Sequence, residues 1–238
     1  DFAAHTHGIT VQAYRGRKVV DERGAVLIGA DGIWSHIGEK LRRQRKPTFA
    51  HRVAWRTLLP AEKLPMHFRS DMIHLWLGPD AHLVLYPVKG GRLINIVAIV
   101  PDEWNVTGWQ AAGERAEILR HFPRFSWSEH VRELIAVPDQ WLKWALYDRT
   151  SGFRGGEGPV TMIGDAAHPM LPFLAQGAGM AIEDAAVLAV TLRKHAHDLP
   201  RGLRAYEAAR KKRTLRAQNT ARKQGKLYGQ TGPEAFVR

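Results

Sequence analysis

The chain has no cysteine among its 238 residues. Disulfides, thiolate nucleophiles and Cys-based zinc sites are therefore excluded. No apolar run approaches the roughly 20 residues that a bilayer-spanning helix needs, so no membrane partner is expected. No internal repeat and no low-complexity tract is present. Acidic residues are scarce: 23 Asp and Glu against 35 Lys and Arg, a formal charge of +12. The first residue is Asp1 rather than Met, and the opening is polar and His-rich. It reads as the interior of a longer chain, so the lack of a signal peptide excludes nothing. The cytoplasm is the expected compartment.

A charge of +12 suggests nucleic acid at first sight, but its distribution argues otherwise. Residues 201–226 hold ten basic residues against Glu207 alone, a net of +9 within the total of +12. Lys40-Leu41-Arg42-Arg43-Gln44-Arg45-Lys46 is a lesser cluster. The charge belongs to one C-terminal helix, and no RNA- or DNA-binding motif accompanies it, so no nucleic-acid partner is expected. Metal is not expected either. The histidines are scattered, and neither His5-x-His7 nor His195-x-His197 has a carboxylate at ligand spacing.

Along the chain the pattern changes twice. Ile9–Tyr14 alternates as a half-buried strand, Arg15-Gly16-Arg17 is a hairpin-like turn, and Ala25–Gly29 is a buried strand ending in Gly29-Ala30-Asp31-Gly32. A short helix is expected over 33–41. From Pro47 onward, strands at 53–59, 72–77, 82–88 and 93–100 are flanked by Pro, Gly or Asp, which predicts an antiparallel sheet. Helices are expected at 111–121 and 127–136, and a strand at 141–147. After the Gly-rich segment 151–159, a buried strand over 160–164 precedes an apolar helix over 177–195. Leu199-Pro200 breaks it, and a polar helix spans 201–228. The order is α/β, then antiparallel sheet, then α/β.

Residues 160–190 carry the most chemistry. Val160-Thr161-Met162-Ile163 runs into Gly164-Asp165-Ala166-Ala167-His168-Pro169. Gln176-Gly177-Ala178-Gly179-Met180 then opens the long helix, which continues through Ile182-Glu183-Asp184-Ala185. Glycines at a helix mouth present unpaired N–H groups to an electron-rich ligand. An aspartate at the strand end accepts hydrogen bonds from hydroxyls. The combination suits a cofactor that is part polyol and part anion.

Leu27-Ile28-Gly29-Ala30-Asp31-Gly32-Ile33-Trp34-Ser35 resembles the GADG-x-x-S signature of single-component flavoprotein monooxygenases. Gly164-Asp165-Ala166-Ala167-His168-Pro169 with Gln176-Gly177-Ala178-Gly179 resembles their second FAD signature. Ala54-Trp55-Arg56 and Leu85-Tyr86-Pro87-Val88 look like the salicylate-hydroxylase-like branch. The resemblance covers nearly the whole chain. It departs twice. The N-terminal Gly-x-Gly-x-x-Gly βαβ unit that holds the FAD pyrophosphate is absent. The signature arginine after Ser35 is also missing: it is either replaced in a shifted register by Arg42 or Arg43, or lost.

The resemblance implies an α/β fold: a Rossmann-like, para-hydroxybenzoate-hydroxylase-like FAD-binding domain remnant with an inserted antiparallel substrate domain and C-terminal helices. The expected divisions are FAD-domain segments at 1–46 and 151–196, a substrate domain at 47–150 and a basic helix at 197–238. The implied cofactor-binding residues are Asp31, Gly32, Gly164, Asp165, Gln176, Gly177, Ala178 and Gly179. Asp165 would meet the ribityl chain, and the helix mouth at 176–180 the pyrimidine edge, where its N–H groups favour negative charge on the reduced flavin. A plain Gly-rich helix start is the structural alternative there, and turn-capping is the alternative for Asp31 and Asp165.

The implied catalytic residues are His82, Tyr86 and Pro172. Period two puts His82, Val84 and Tyr86 on one strand face, and Leu83 and Leu85 on the other. The first face walls a pocket for a phenol, with His82 placed to take its proton. A solvent-facing edge is the alternative. By resemblance Pro172 sits over the reactive region of the flavin, although a loop proline explains it too, and His168 suits a structural turn.

The implied reaction is NADH- or NADPH-dependent hydroxylation of a small aromatic substrate by molecular oxygen, through a flavin hydroperoxide. A homodimer is compatible with it. The alternatives are a flavin-dependent epoxidase and a non-catalytic fragment that cannot hold FAD alone.

Overall fold

A computed structural model describes residues 1–41, 45–150, 153 and 155–230. Arg42 and Arg43, the candidates for a shifted signature arginine, lie outside the described residues, as does 231–238. The chain divides into two compact units, one of residues 1–48 and 148–223, the other of 49–147 and 224–238.

The first unit opens with a three-stranded antiparallel sheet of β1 (Phe2–His5), β2 (Gly8–Arg15) and β3 (Lys18–Gly24). Phe2–His5 was not expected as a strand; it pairs with the start of β2, Ala4 lying opposite Ile9. Arg15 pairs with Lys18 across the two-residue turn at Gly16-Arg17. The apolar run at 25–29 contributes only β4 (Leu27–Gly29), and the following helix, α1, is confined to His36–Lys40.

The second unit is a six-stranded sheet of β5 (Thr48–Pro60), β6 (His74–Gly78), β7 (Ala81–Val88), β8 (Leu93–Pro101), β9 (Gln110–Glu114) and β10 (Gln140–Asp148). Their order is β6-β7-β8-β5-β10-β9. Alternation along β7 and β8 sets its two faces. Leu83 lies opposite Ala98 and Leu85 opposite Ile96, all fully buried. They pack with Val53 and Trp55 against Ile118 of α2 (Arg115–Leu119) and Val131, Leu134 and Ile135 of α3 (Glu129–Ala136). The other face carries the pairs His82–Ile99, Val84–Val97 and Tyr86–Asn95.

One expectation fails here. The helix predicted over 111–121 is strand β9 followed by the single turn of α2. Gly113 explains the difference. A Cβ there would stand 2.3 Å from the buried Trp55 ring, so the glycine lets the strand lie directly on the indole. That packing outweighs the helix propensity of Ala111 and Ala112.

The chain then returns to the first unit through β11 (Val160–Met162), α4 (Gly177–Lys194) and α5 (Leu199–Tyr228), whose residues from Gln224 on belong to the second unit. Pro200 falls inside the first turn of α5, where its missing N–H costs nothing, and Asp198 caps that turn by accepting from Arg201 N–H at 3.1 Å. Met162, Ala166, Ala167, Leu188, Leu203 and Tyr206 form the second core. Among the described residues no helix is long and apolar enough to cross a membrane.

The Gly113 contact yields a prediction. Gly113→Ala forces a methyl into the Trp55 ring and costs about 1–3 kcal/mol. A shift of the urea midpoint at unchanged slope will show it, and an unshifted midpoint refutes the packing argument.

Candidate functional site

The two glycine-aspartate turns leave adjacent parallel strands. Leu27, Ile28 and Gly29 of β4 pair with Val160, Thr161 and Met162 of β11, and Ile163 N–H donates to Gly29 O at 2.9 Å. Asp31-Gly32 and Gly164-Asp165 therefore emerge side by side at carboxyl ends of strands. In open α/β sheets ligands bind there. The structure thus brings together two segments more than 130 positions apart in the sequence.

Gly164 adopts φ +57°, the left-handed region, and an added Cβ would stand 3.2 Å from Ala181 Cβ. Its carbonyl accepts from Ala167 N–H at 3.0 Å and His168 N–H at 2.9 Å, which closes a tight turn. That turn leaves Asp165 exposed. Partial desolvation pushes the Asp165 carboxyl up, against the downward pull of His168 and Arg149.

Pro172 opens a short 3-10 turn ending at Ala175, which takes a left-handed conformation (φ 54°). Gln176 follows as N-cap of α4 but makes no capping bond with its side chain. Met180 N–H donates to Gln176 O at 2.9 Å. The N–H groups of Gly177, Ala178 and Gly179 precede that bond, at the positive end of an 18-residue helix. No heavy atom lies within 4 Å of where a Cβ would stand on Gly179 or Gly32. The segment is thus an open cradle with free donors beside a carboxylate acceptor. These residues fit the polyol and the ring end of a flavin.

Asp31 has local duties. Its carboxylate accepts from Ser35 Oγ at 2.6 Å and Ile37 N–H at 3.2 Å, and Ser35 Oγ accepts from Gly38 N–H at 2.9 Å. Asp31 and Ser35 together cap α1. The turn role that sequence reasoning set beside cofactor binding is the one these bonds make visible.

Three residues that position the site were missed. Arg149, 2% exposed, donates to Ala166 O at 3.1 Å and to Ile33 O, and so ties one signature turn to the other. Burial pulls its pKa down while Asp165 and Asp31 pull it back up, and a guanidinium stays charged throughout. Arg222 supports it by gripping Asp148 with two bonds, of 2.7 and 2.9 Å.

Asp184 is the second, fully buried. Its carboxylate accepts from Gly164 N–H at 2.8 Å, contacts His168 Nε2 at 2.5 Å and takes Arg210 Nε at 2.7 Å. Burial alone would raise its pKa. The His168 and Gly164 hydrogen bonds and Arg210 outweigh that and hold it below the ordinary value. Arg210, the third, also bonds Glu183 at 2.8 Å, and Arg213 does so from the next turn. These two guanidiniums drive the Glu183 pKa down to about 2. His168 is thus the structural turn histidine, stacked on Phe153.

In the second unit His82 is 5% exposed and its ring lies 4.9 Å from that of Tyr228. Burial, then the Arg52 charge, pushes its pKa down to about 4, so it is a neutral imidazole at pH 7. Tyr86 is half-buried on the same face, opposite Asn95. Asn95 also lines a cleft of about 880 Å³ with Arg56, Leu58, Gln140, Leu142 and Trp144. The Arg56 guanidinium sits 4.5 Å over the Trp144 ring. His82 and Tyr86 do not line this cleft themselves. A volume of that size suits a small ligand.

Comparison with known proteins bears on this geometry. A family profile described as "FAD binding domain" matches residues 3–221. A 3-hydroxybenzoate 6-hydroxylase from Aquipseudomonas alcaligenes is 36% identical over 220 residues, covering 91% of this chain and 67% of the relative. A 3-amino-4-hydroxybenzoate 2-monooxygenase from Streptomyces platensis is 35% identical over 233 residues, covering 97% and 57%. A solved salicylate hydroxylase substrate complex superposes with a TM-score of 0.82 at 29% identity, covering 98% of this chain and 61% of that one. The chain spans about 60% of the length of such relatives.

The Asp184 site yields a prediction. Asp184→Ala leaves Arg210 buried without its main partner and costs about 3–5 kcal/mol in chemical unfolding. The pH dependence has a fixed sign. Both Asp184 and Glu183 have folded pKa values below ordinary carboxylates. The Glu183 contribution is present above its ordinary pKa of about 4.5 and is lost as pH falls toward 2, and that of Asp184 is lost as pH falls below the ordinary carboxylate range. The variant will show a flatter stability profile in that window; an unchanged slope rules the carboxylate out as the acid-sensitive group.

Proposed function

The chain belongs to the FAD binding domain family, and from that membership we propose that it is part of an FAD-dependent monooxygenase that hydroxylates a phenolic ring. One observation carries the reading. Two signature turns leave neighbouring parallel strands beside an uncapped, glycine-lined helix N-terminus. NADH or NADPH is the proposed reductant and molecular oxygen the co-substrate.

When bound, FAD supplies the redox and oxygen chemistry, which no side chain of this protein can. The protein's residues bind and orient. Asp165 accepts from ribityl hydroxyls, with Gly164 and Gly32 allowing close approach. The N–H groups of Gly177, Ala178 and Gly179 favour negative charge at the ring end, and Gln176 and Pro172 border that position. Arg149 holds the two turns in register.

On the substrate side, His82 and Tyr86 meet the phenol. His82, neutral at pH 7, accepts the phenolic hydrogen bond. A phenolate forming beside it would raise its basicity, because opposite charges stabilise one another. The hydroxybenzoate names of the relatives support that class of substrate.

A second reading has its own support. The chain covers only about 60% of its relatives and has no Gly-x-Gly-x-x-Gly unit. By itself it would then be a folded piece that does not retain flavin. Adding FAD to this chain and recording the absorption spectrum after gel filtration decides between them. Retained flavin supports a working cofactor site; its loss supports the second reading.

Two variants test the roles in a form of the protein that holds FAD. Asp165→Ala weakens flavin retention by about tenfold, the loss of one hydrogen bond to a charged group. His82→Ala leaves flavin retention intact and lowers hydroxylation by about 10²–10⁴-fold. Wild-type turnover in the second variant refutes the proton-transfer role. Spectral titration with hydroxybenzoates and hydroxypyridines then identifies the substrate class.

A further inference from the structure

In the second unit, on the helical side of the sheet, three ligand-competent side chains converge. We propose that His67, His130 and Glu133 form a binding site for a zinc-class divalent transition metal. Their ligand atoms all lie within 4.8 Å of one another. His67 Nε2 and Glu133 Oε2 are 3.2 Å apart. Two ligands of a tetrahedral ion with bonds of about 2.0–2.1 Å stand about 3.3 Å apart, so this pair already spans one edge of the polyhedron. The His67 and His130 ring centroids are 5.1 Å apart.

The ligands sit on firm supports. His130 and Glu133 are three positions apart on α3 and so project from one side of the helix. Ser128 caps that helix, and Val131, Leu134 and Ile135 bury its other side. His67 lies in a 3-10 turn over Met66–Phe68. Arg69 Nε braces that turn by donating to Leu64 O at 2.8 Å. Phe68 is buried against both imidazoles, with its ring centroid 4.3 Å from each. It restricts the rotation of both and forms an apolar wall behind the site.

The donor set selects the ion. Two imidazoles and one carboxylate match zinc and its neighbours, whereas Mg²⁺ and Ca²⁺ require more oxygen ligands. Three protein ligands leave the fourth position to water. His67 and Glu133 are 66 positions apart, so local spacing could not reveal the site. A bound ion joins the turn to the helix and stabilises this unit by mass action, because the unfolded chain has no such site. Without an ion, the exposed His67–Glu133 contact contributes little.

The test uses the full chain stripped with a chelator. ZnCl₂ should raise Tm saturably by a few degrees with one ion per chain by calorimetry, while MgCl₂ and CaCl₂ leave it unchanged. His67→Ala and His130→Ala should each weaken zinc binding at least about tenfold. The pair His5→Ala and His7→Ala should not. All three ligands are exposed, so the variants fold. Co²⁺ added to the unsubstituted protein gives an independent readout: intense tetrahedral visible bands support the site. Weak octahedral bands, no Tm response, or an equal zinc response in parent and His130→Ala would each overturn it.

Discussion

The first unit depends on one buried carboxylate. Asp184 is taken wholly out of water, which by itself would cost several kcal/mol. It is held there by the Gly164 N–H, His168 and Arg210, drawn from the strand-end turn, the following loop and α5. The Gly164 turn cannot rotate without breaking the bond to α4. The direction of Asp165 and the position of the helix mouth are therefore fixed by a fully buried residue. Tyr206 reinforces the arrangement by donating to Met162 O at 3.1 Å, and burial beside Asp184 raises its pKa.

The concentration of positive charge on α5 follows from the same requirement. Arg204 pairs with Glu207, Arg210 with Asp184 and Glu183, Arg213 with Glu183, and Arg222 with Asp148. Glu207 in turn accepts from Gly156 N–H and Thr161 Oγ1 at the start of β11. Four of the ten basic residues at 201–226 thus act as clamps that hold the strand-end turns. Part of the formal charge that suggested a polyanionic partner is thus accounted for inside the protein. The other six, Arg201, Lys211, Lys212, Arg216, Lys223 and Lys226, are left as an ordinary exposed face.

What could be read from the sequence was what lies close together in it. Gly164-Asp165 and Asp31-Gly32 announce strand-end turns because glycine and aspartate have local reasons to be there. Alternation along 82–86 gave the two faces of β7, with Leu83 and Leu85 fully buried. Residues whose partners are distant stayed silent. Arg149 meets Ile33 across 116 positions, and Asp184 meets Arg210 across 26. Neither has a local pattern that separates it from a surface charge. The strand at 110–114 was hidden for the same reason, since its cause is Trp55, far back in the chain.

His82 shows where electrostatics adds to pattern. Period two places it on the right face, and imidazole chemistry makes it a candidate base. Its surroundings then set its strength. Burial, together with Arg52, lowers its pKa to about 4, so the folded protein disfavours its protonated form. Folding stability must then fall as pH drops from about 6.5 toward 4, because the unfolded chain binds the proton more readily. The same bias would constrain the proposed role in catalysis. A base this weak would not remove a proton from a free phenol and keep it. In that proposal it accepts a hydrogen bond and takes the proton only with an anion beside it, which a forming phenolate would supply, so proton transfer would be conditional on substrate.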